Sequence, residues 1–138
     1  MTKSKSVDLG SIDTTAGANA GFDVQLYHPG TNEELGITIH VLGKDSDEFQ
    51  KVSRAQSKKR MAKLSKGGFR GTPIPLEELE RDGIELLAAC TKAWTGVQVD
   101  GKVLECTQEN VIAVYERFAW IREQVDVAIG DRANFIKG

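Results

Sequence analysis

The sequence predicts an α+β fold: a mainly helical single domain with an N-terminal antiparallel β-hairpin and a second short hairpin. Three observations predict it. Phe22, Val24 and Leu26 alternate with polar residues, as do Ile37, Ile39 and Val41, with the turn chemistry of Pro29-Gly30-Thr31-Asn32 between them. Apolar residues then recur at three- and four-residue steps in the later part of the chain, which is the spacing of helices with one buried face. The chain has 138 residues, enough for one ordinary domain to bury a core without disulfides or a structural metal.

Residues 1–20 are rich in Ser, Thr, Gly and Ala and offer few large apolar groups to bury, so they are expected to form a flexible lead-in to a domain spanning residues 21–138. The first hairpin delivers into a helix over residues 46–66. Asp45 is the expected cap, with Glu48 reaching back in a capping box. The inward positions of that helix would be Phe49, Val52, Ala55, Met61, Ala62 and Leu64, a thin and interrupted stripe. Gly67 and Gly68 end it, and residues 67–75, with two prolines, read as a crossing loop.

Pro75 suits a first helical turn, and Leu76, Leu79, Gly83, Leu86, Leu87, Cys90 and Trp94 form the best core stripe in the chain. Gly83 inside it suggests a close approach by another element. Val97, Val99, the Asp100-Gly101 turn, Val103 and Leu104 make the second hairpin. Thr107 then caps a helical pattern running through Val111, Val114, Tyr115, Phe118, Ile121, Val125, Ile129 and Phe135, with a break expected near residues 118–120 or at Gly130.

Composition excludes several classes of function. Hydrophobic residues make up 40% and charged residues 28%, the balance of a soluble globular protein, and no apolar run is long enough to span a bilayer. The N-terminus carries no apolar block of the kind a secretory signal needs, so the expected location is the cytoplasm in which the chain is made. His28 and His40 lack a partner at metal-ligand spacing, Cys90 and Cys106 read as reduced, semi-buried thiols, and Ser46 and Ser53 have no nearby base. With no phosphate-cradling glycine motif either, the chain is expected to be a non-enzyme without cofactor or metal.

Charge is less evenly distributed than the net value of −2 suggests. Lys51, Arg54, Lys58, Lys59, Arg60, Lys63, Lys66 and Arg70 occur with no acidic residue between Glu48 and Glu77, and Glu77, Glu78, Glu80, Asp82 and Glu85 follow on a helix of opposite sign. A basic helix could grip phosphates. No aromatic residues interleave with these lysines to stack bases, so a protein-facing helix is favoured and nucleic acid is disfavoured. Opposite charge on consecutive helices also suits head-to-tail self-association into a homo-oligomer. Trp94, Phe118 and Phe135 are expected in the core, whereas Trp120 lies off the helical stripe and Phe69 sits beside Arg70 in a glycine-rich loop, which makes both candidate interface anchors.

A resemblance gathers these features. The pattern Pro-x-Thr-x-Glu-x-Leu-Gly from Pro29, an apolar strand, then Leu42-Gly43-Lys44-Asp45-Ser46-Asp47-Glu48-Phe49 is similar to the N-terminal part of tail assembly chaperones of long-tailed bacteriophages. Trp94, Val99-Asp100-Gly101-Lys102, Glu109-Asn110-Val111 and Ala133-Asn134-Phe135 resemble the second half, so the likeness covers residues 20–138. It implies a phage or prophage protein that binds the tape measure protein in multiple copies and keeps it soluble during tail assembly, in the host cytoplasm and outside the mature virion. It also implies a tail tube protein as second partner, recruited in many such phages by a frameshifted extension that residues 1–138 do not contain. The alternatives are a structural virion component of the tail or head-tail connection and a nucleic-acid-binding module built on residues 51–70.

Overall fold

The structure is a computed structural model and describes residues 6–66 and 74–136. Helix predominates in an α+β arrangement, as predicted. Strands β1 (Phe22–Tyr27) and β2 (Glu34–Val41) form the expected antiparallel hairpin, with Val24 opposite Ile39 and Phe22 opposite Val41. Val24, Leu26, Ile39 and Val41 are buried on one face, the outcome that period-two alternation dictates. The ladder shifts register between Gln25 and Tyr27, where β2 carries Gly36 at φ 72°.

The sheet has a third strand that the sequence reading placed in a helix. Helix α3 (Leu76–Ala89) stops short of Trp94, and β3 (Thr91–Thr95) pairs antiparallel with β2, giving the order β1-β2-β3. The turn-by-turn spacing that ran through Cys90 to Trp94 was misleading. Thr91 and Thr95 are β-branched, and an open β2 edge offers this segment ladder hydrogen bonds that outweigh helix continuation. The Leu42 N–H donates to the Cys90 carbonyl at 2.8 Å and locks the junction.

The second hairpin, β4 (Gln98–Val99) and β5 (Lys102–Val103), turns at Asp100 and Gly101, both at positive φ as its turn type requires. Thr107 caps α4 (Gln108–Arg117) by accepting the Asn110 N–H at 3.1 Å. The chain breaks at Phe118 before α5 (Ala119–Gly130), and the Asp131 carboxylate caps a 3-10 turn over Arg132–Phe135. Both expected break points are used.

The core lies between one face of the sheet and helices α3, α4 and α5, where Ile84, Leu87, Val111, Tyr115, Val125 and Ile129 meet the strand residues. Each fully buried aliphatic contributes about 1.5–3 kcal/mol, against roughly 0–1 kcal/mol for an exposed ion pair, so this layer holds the fold. The Tyr115 hydroxyl and Thr91 Oγ1 share a hydrogen bond of 2.7 Å, and Thr91 also donates to the Leu87 carbonyl. Burial raises the Tyr115 phenol and pushes the Cys90 thiol up to about 11. Cys90 is fully buried rather than semi-buried; Cys106 is half-buried, and both are free thiols. Phe135 is buried as expected, edge-to-face with Phe22 at 6.0 Å, while Trp94 and Phe118 are half-buried against the core.

Several expectations need correction. Ahead of the first strand the chain forms α1 (Thr15–Ala20), which is docked by small residues rather than apolar bulk. Ala18 is buried and accepts the Gly43 N–H at 3.0 Å. A Cβ on Gly17 would collide with the Phe135 carbonyl, and one on Gly43 would stand 3.0 Å from both Ala18 and the Phe135 ring. Leu9 and Ile12 remain exposed. Gly83, expected at a close approach, has no atom of another element within 4 Å of its would-be Cβ.

The stripe of α3 is also rotated from its predicted place. Leu76 and Leu79 are exposed while Asp82 and Ile84 are buried, because α3 packs against the charged helix α2 (Asp47–Lys66) as well as against the core. Pro75 caps α3 instead of entering its first turn.

Asp45 does not cap α2. The hydroxyl of Ser46, fully buried, accepts the Phe49 N–H at 3.2 Å, one residue later than expected. Asp45 instead accepts from Thr14 Oγ1 at 2.6 Å and takes both Nε and a terminal nitrogen of Arg132 at 2.6 and 3.0 Å. One carboxylate thus ties the start of α1, the entry to α2 and the C-terminal turn. The Arg132 and Thr14 hydrogen bonds lower its pKa to about 2. A carboxylate depressed by folding stabilises fully above its unfolded pKa, about 3.9, and loses that contribution as pH falls through the folded value. Asp45→Asn should therefore be less stable than the parent at pH 6, with the difference shrinking between pH 4 and pH 2 in urea unfolding; a gap that stays constant over that range would contradict the tie.

Candidate partner-binding surface

Helix α2 begins as sequence physics requires, with Asp47 and Glu48 in a first turn that favours negative charge. Its apolar stripe is too thin to orient it, so polar contacts to α3 do so. The Gln56 side chain donates to the Asp82 backbone carbonyl at 2.7 Å. Arg60 stands 3.3 Å from the Asp82 carboxylate, whose side chain is only 7% exposed, and Lys63 pairs with Glu78. Phe49 and Val52 turn partly inward, while Ala55, Met61, Ala62 and Leu64, expected inside, are exposed. The inward places they were assigned are taken by Ser53, Gln56 and Arg60.

This roll divides the predicted basic cluster. Arg60 and Lys63 face α3 and are neutralised within the chain, which removes them, Glu78 and Asp82 from the expected contact between the basic helix of one copy and the acidic helix of the next. Lys51, Arg54 and Lys58 are exposed on the opposite face, Lys59 is exposed at its border where its charge still reaches Glu78, and none of the four forms an ion pair among the described residues. Ala55 and Ala62 lie between them at seven-residue spacing, flanked by Met61. Phe69 and Arg70 lie outside the described residues.

Trp120 is half-buried and stacks edge-to-face on Phe118 at 6.4 Å, but its other side lines an open groove of about 620 Å³ between β1 and α5. Val24 and Ala128 form the floor, and Val127, 73% exposed, stands on one wall. Asp23, Glu123 and Asp131 give the groove a negative character, and neither lysine nor arginine lines it. Asp23 shares its carboxylate with His40 at 2.7 Å.

β1 is an edge strand, and at its far end the Gln124 side chain acts as a neighbouring strand would. Its Oε1 accepts the Tyr27 N–H at 2.9 Å and its Nε2 donates to the Tyr27 carbonyl at 2.8 Å. By the two-residue period of a strand, the backbone groups of Asp23 and Gln25 point the same way, toward the groove. Sequence reasoning singled out Trp120 alone. The signal for its neighbours was available, because Trp120, Glu123, Gln124, Val127 and Asp131 recur at three- and four-residue steps as a second face of α5, opposite Ile121, Val125 and Ile129.

Among the described residues no group of three or more His, Cys, Asp and Glu is placed to hold a metal ion, and no helix is long and apolar enough to cross a membrane. The geometry offers two surfaces of opposite charge: an acidic groove with an apolar floor, and a basic face on α2. The division of the basic cluster has a measurable consequence. Arg60→Ala should destabilise the chain by about 1–3 kcal/mol by leaving the buried Asp82 carboxylate without its cation, whereas Lys58→Glu should shift stability by no more than about 0.5 kcal/mol. Equal losses in urea unfolding would show that α2 is not rolled in this way. No family model, curated protein or solved structure matches this chain.

Proposed function

We propose that the chain acts as a tail assembly chaperone of a long-tailed bacteriophage, binding the tape measure protein in several copies and keeping it soluble until tail tube subunits close around it. The observation that carries this reading is the ordered likeness to that family across residues 20–138. The fold supports it in one respect. The two halves of the likeness, distant in sequence, touch: Gly43 packs on the Phe135 ring, and the Lys44 N–H donates to the Ile129 carbonyl at 3.3 Å. Turns, caps and small residues that look unremarkable one by one serve a single junction.

The chemistry of such a partner also suits the surfaces. Before assembly a tape measure protein exposes long apolar helical stripes, and masking them takes exposed apolar contacts bordered by charge rather than a catalytic group. Leu76 and Leu79 are exposed on α3 beside the exposed carboxylates of Glu77 and Glu80, and the self-association proposed below does not use them. On this reading the protein works in the host cytoplasm and is left out of the finished particle. The tail tube protein is the second partner, met as the tube polymerises.

Co-expression with the tape measure protein tests the reading. The long protein should be soluble only when this chain is present and should co-purify with several copies of it by size exclusion with light scattering. A tape measure protein that stays insoluble, with this chain eluting alone, would contradict the proposal.

A further inference from the structure

We propose that the groove between β1 and α5 receives the outward face of α2 from a second copy of this chain, joining copies head to tail. Charge is the first reason. The outward face of α2 presents Lys51, Arg54 and Lys58, while Glu123 and Asp131 form no ion pair among the described residues and no lysine or arginine lines the groove they border. The acids of α3 that face α2 are already used within the chain by Arg60 and Lys63, and Asp45 and Asp47, which share a cleft with Lys51 and Arg54, form no ion pair with them.

Shape is the second reason. On α5, Trp120 and Val127 project toward the groove seven residues apart, and on α2 the small residues Ala55 and Ala62 repeat at the same interval. Seven residues span about 10.5 Å of helix, so one α2 laid along the groove sets each small residue against a large one. The charges fix the direction: with α2 antiparallel to α5, Ala62 against Trp120 and Ala55 against Val127, Lys51 falls beside Asp131 and Lys58 within a residue of Glu123. The two surfaces share no residue, so each copy offers both and the contact is heterologous, closing into a ring or continuing as a string. Such a row of copies matches the demand of a long partner, but the contact is read from this chain alone, and its failure would leave the chaperone reading where it stood.

The test uses the full chain without any partner. Light scattering at rising concentration should show mass growing beyond one copy at low salt and falling back as salt screens the contact. Two variants, Lys51→Glu with Lys58→Glu, and Glu123→Lys with Val127→Lys, should each associate about tenfold or more weakly than the parent, with unchanged circular dichroism. An equimolar mixture of the two should regain the parental mass, because the reversed helix meets the reversed groove and the native helix meets the native groove. Regained mass in the mixture excludes misfolding as the cause of the loss. A parent that stays monomeric at every concentration, variants that assemble like it, or a mixture that remains monomeric would each overturn the proposal.

Discussion

The Asp82 carboxylate, buried between α2 and α3 and met by Arg60, is the constraint on which the working surfaces of this molecule depend. Helix α2 is twenty residues long and has little apolar surface with which to choose an orientation. A carboxylate taken out of water needs a cation and hydrogen bonds, and the positions of Arg60, Gln56 and Lys63 on one side of α2 satisfy α3 in only one roll. That roll sends Lys51, Arg54, Lys58 and Lys59 to the outside. The pairing contributes modestly to stability beside the buried aliphatic layer, yet it decides which charges other molecules meet.

A second constraint sits at the opposite end of α2. There the chain brings α1, the β2–α2 connection and the C-terminal turn together at a spacing only Gly17, Ala18 and Gly43 allow, with Asp45 bridging Thr14 and Arg132 across it. The motif around Leu42-Gly43-Lys44-Asp45 and the closing Ala133-Asn134-Phe135 are halves of this one junction. Backbone hydrogen bonds from Gly43 to Ala18 and from Lys44 to Ile129 continue it, so the entry to α2 is fixed from both chain ends at once. Anchored at its start by this junction and along its length by α3, the charged helix is held firmly despite its solvated outer face.

Much of this was legible in the sequence wherever the signal was local. The β1–β2 alternation, the Asp100-Gly101 turn, the Thr107 cap and the break at Phe118 each depend on residues within a few positions of one another. What was misread depended on distant partners. Trp94 entered a strand because β2 had an edge to fill, and the packing of α1, invisible in its own residues, depends on Gly17 meeting Phe135 more than a hundred residues away. Asp45 surrendered its capping role to Ser46 because Arg132 claimed its carboxylate. For the surfaces, the basic run was legible as a run but not as two opposed faces, since the division is made by α3. Trp120 was singled out, whereas its companions on α5 were hidden behind the stronger core stripe of the same helix.

Covalent labelling of lysines, read by mass spectrometry on the chain at low concentration and again in assembled form, tests most directly whether polar pairing with α3 sorts the basic helix into a used face and a free one. The account predicts that Lys63, paired with Glu78, labels more slowly in the dilute chain than Lys51 and Lys58, and that assembly slows those two while exposed Lys102 on β5 keeps its rate. Lys63 labelling as fast as Lys58 in the dilute chain, or Lys51 and Lys58 keeping their rates on assembly, would contradict it.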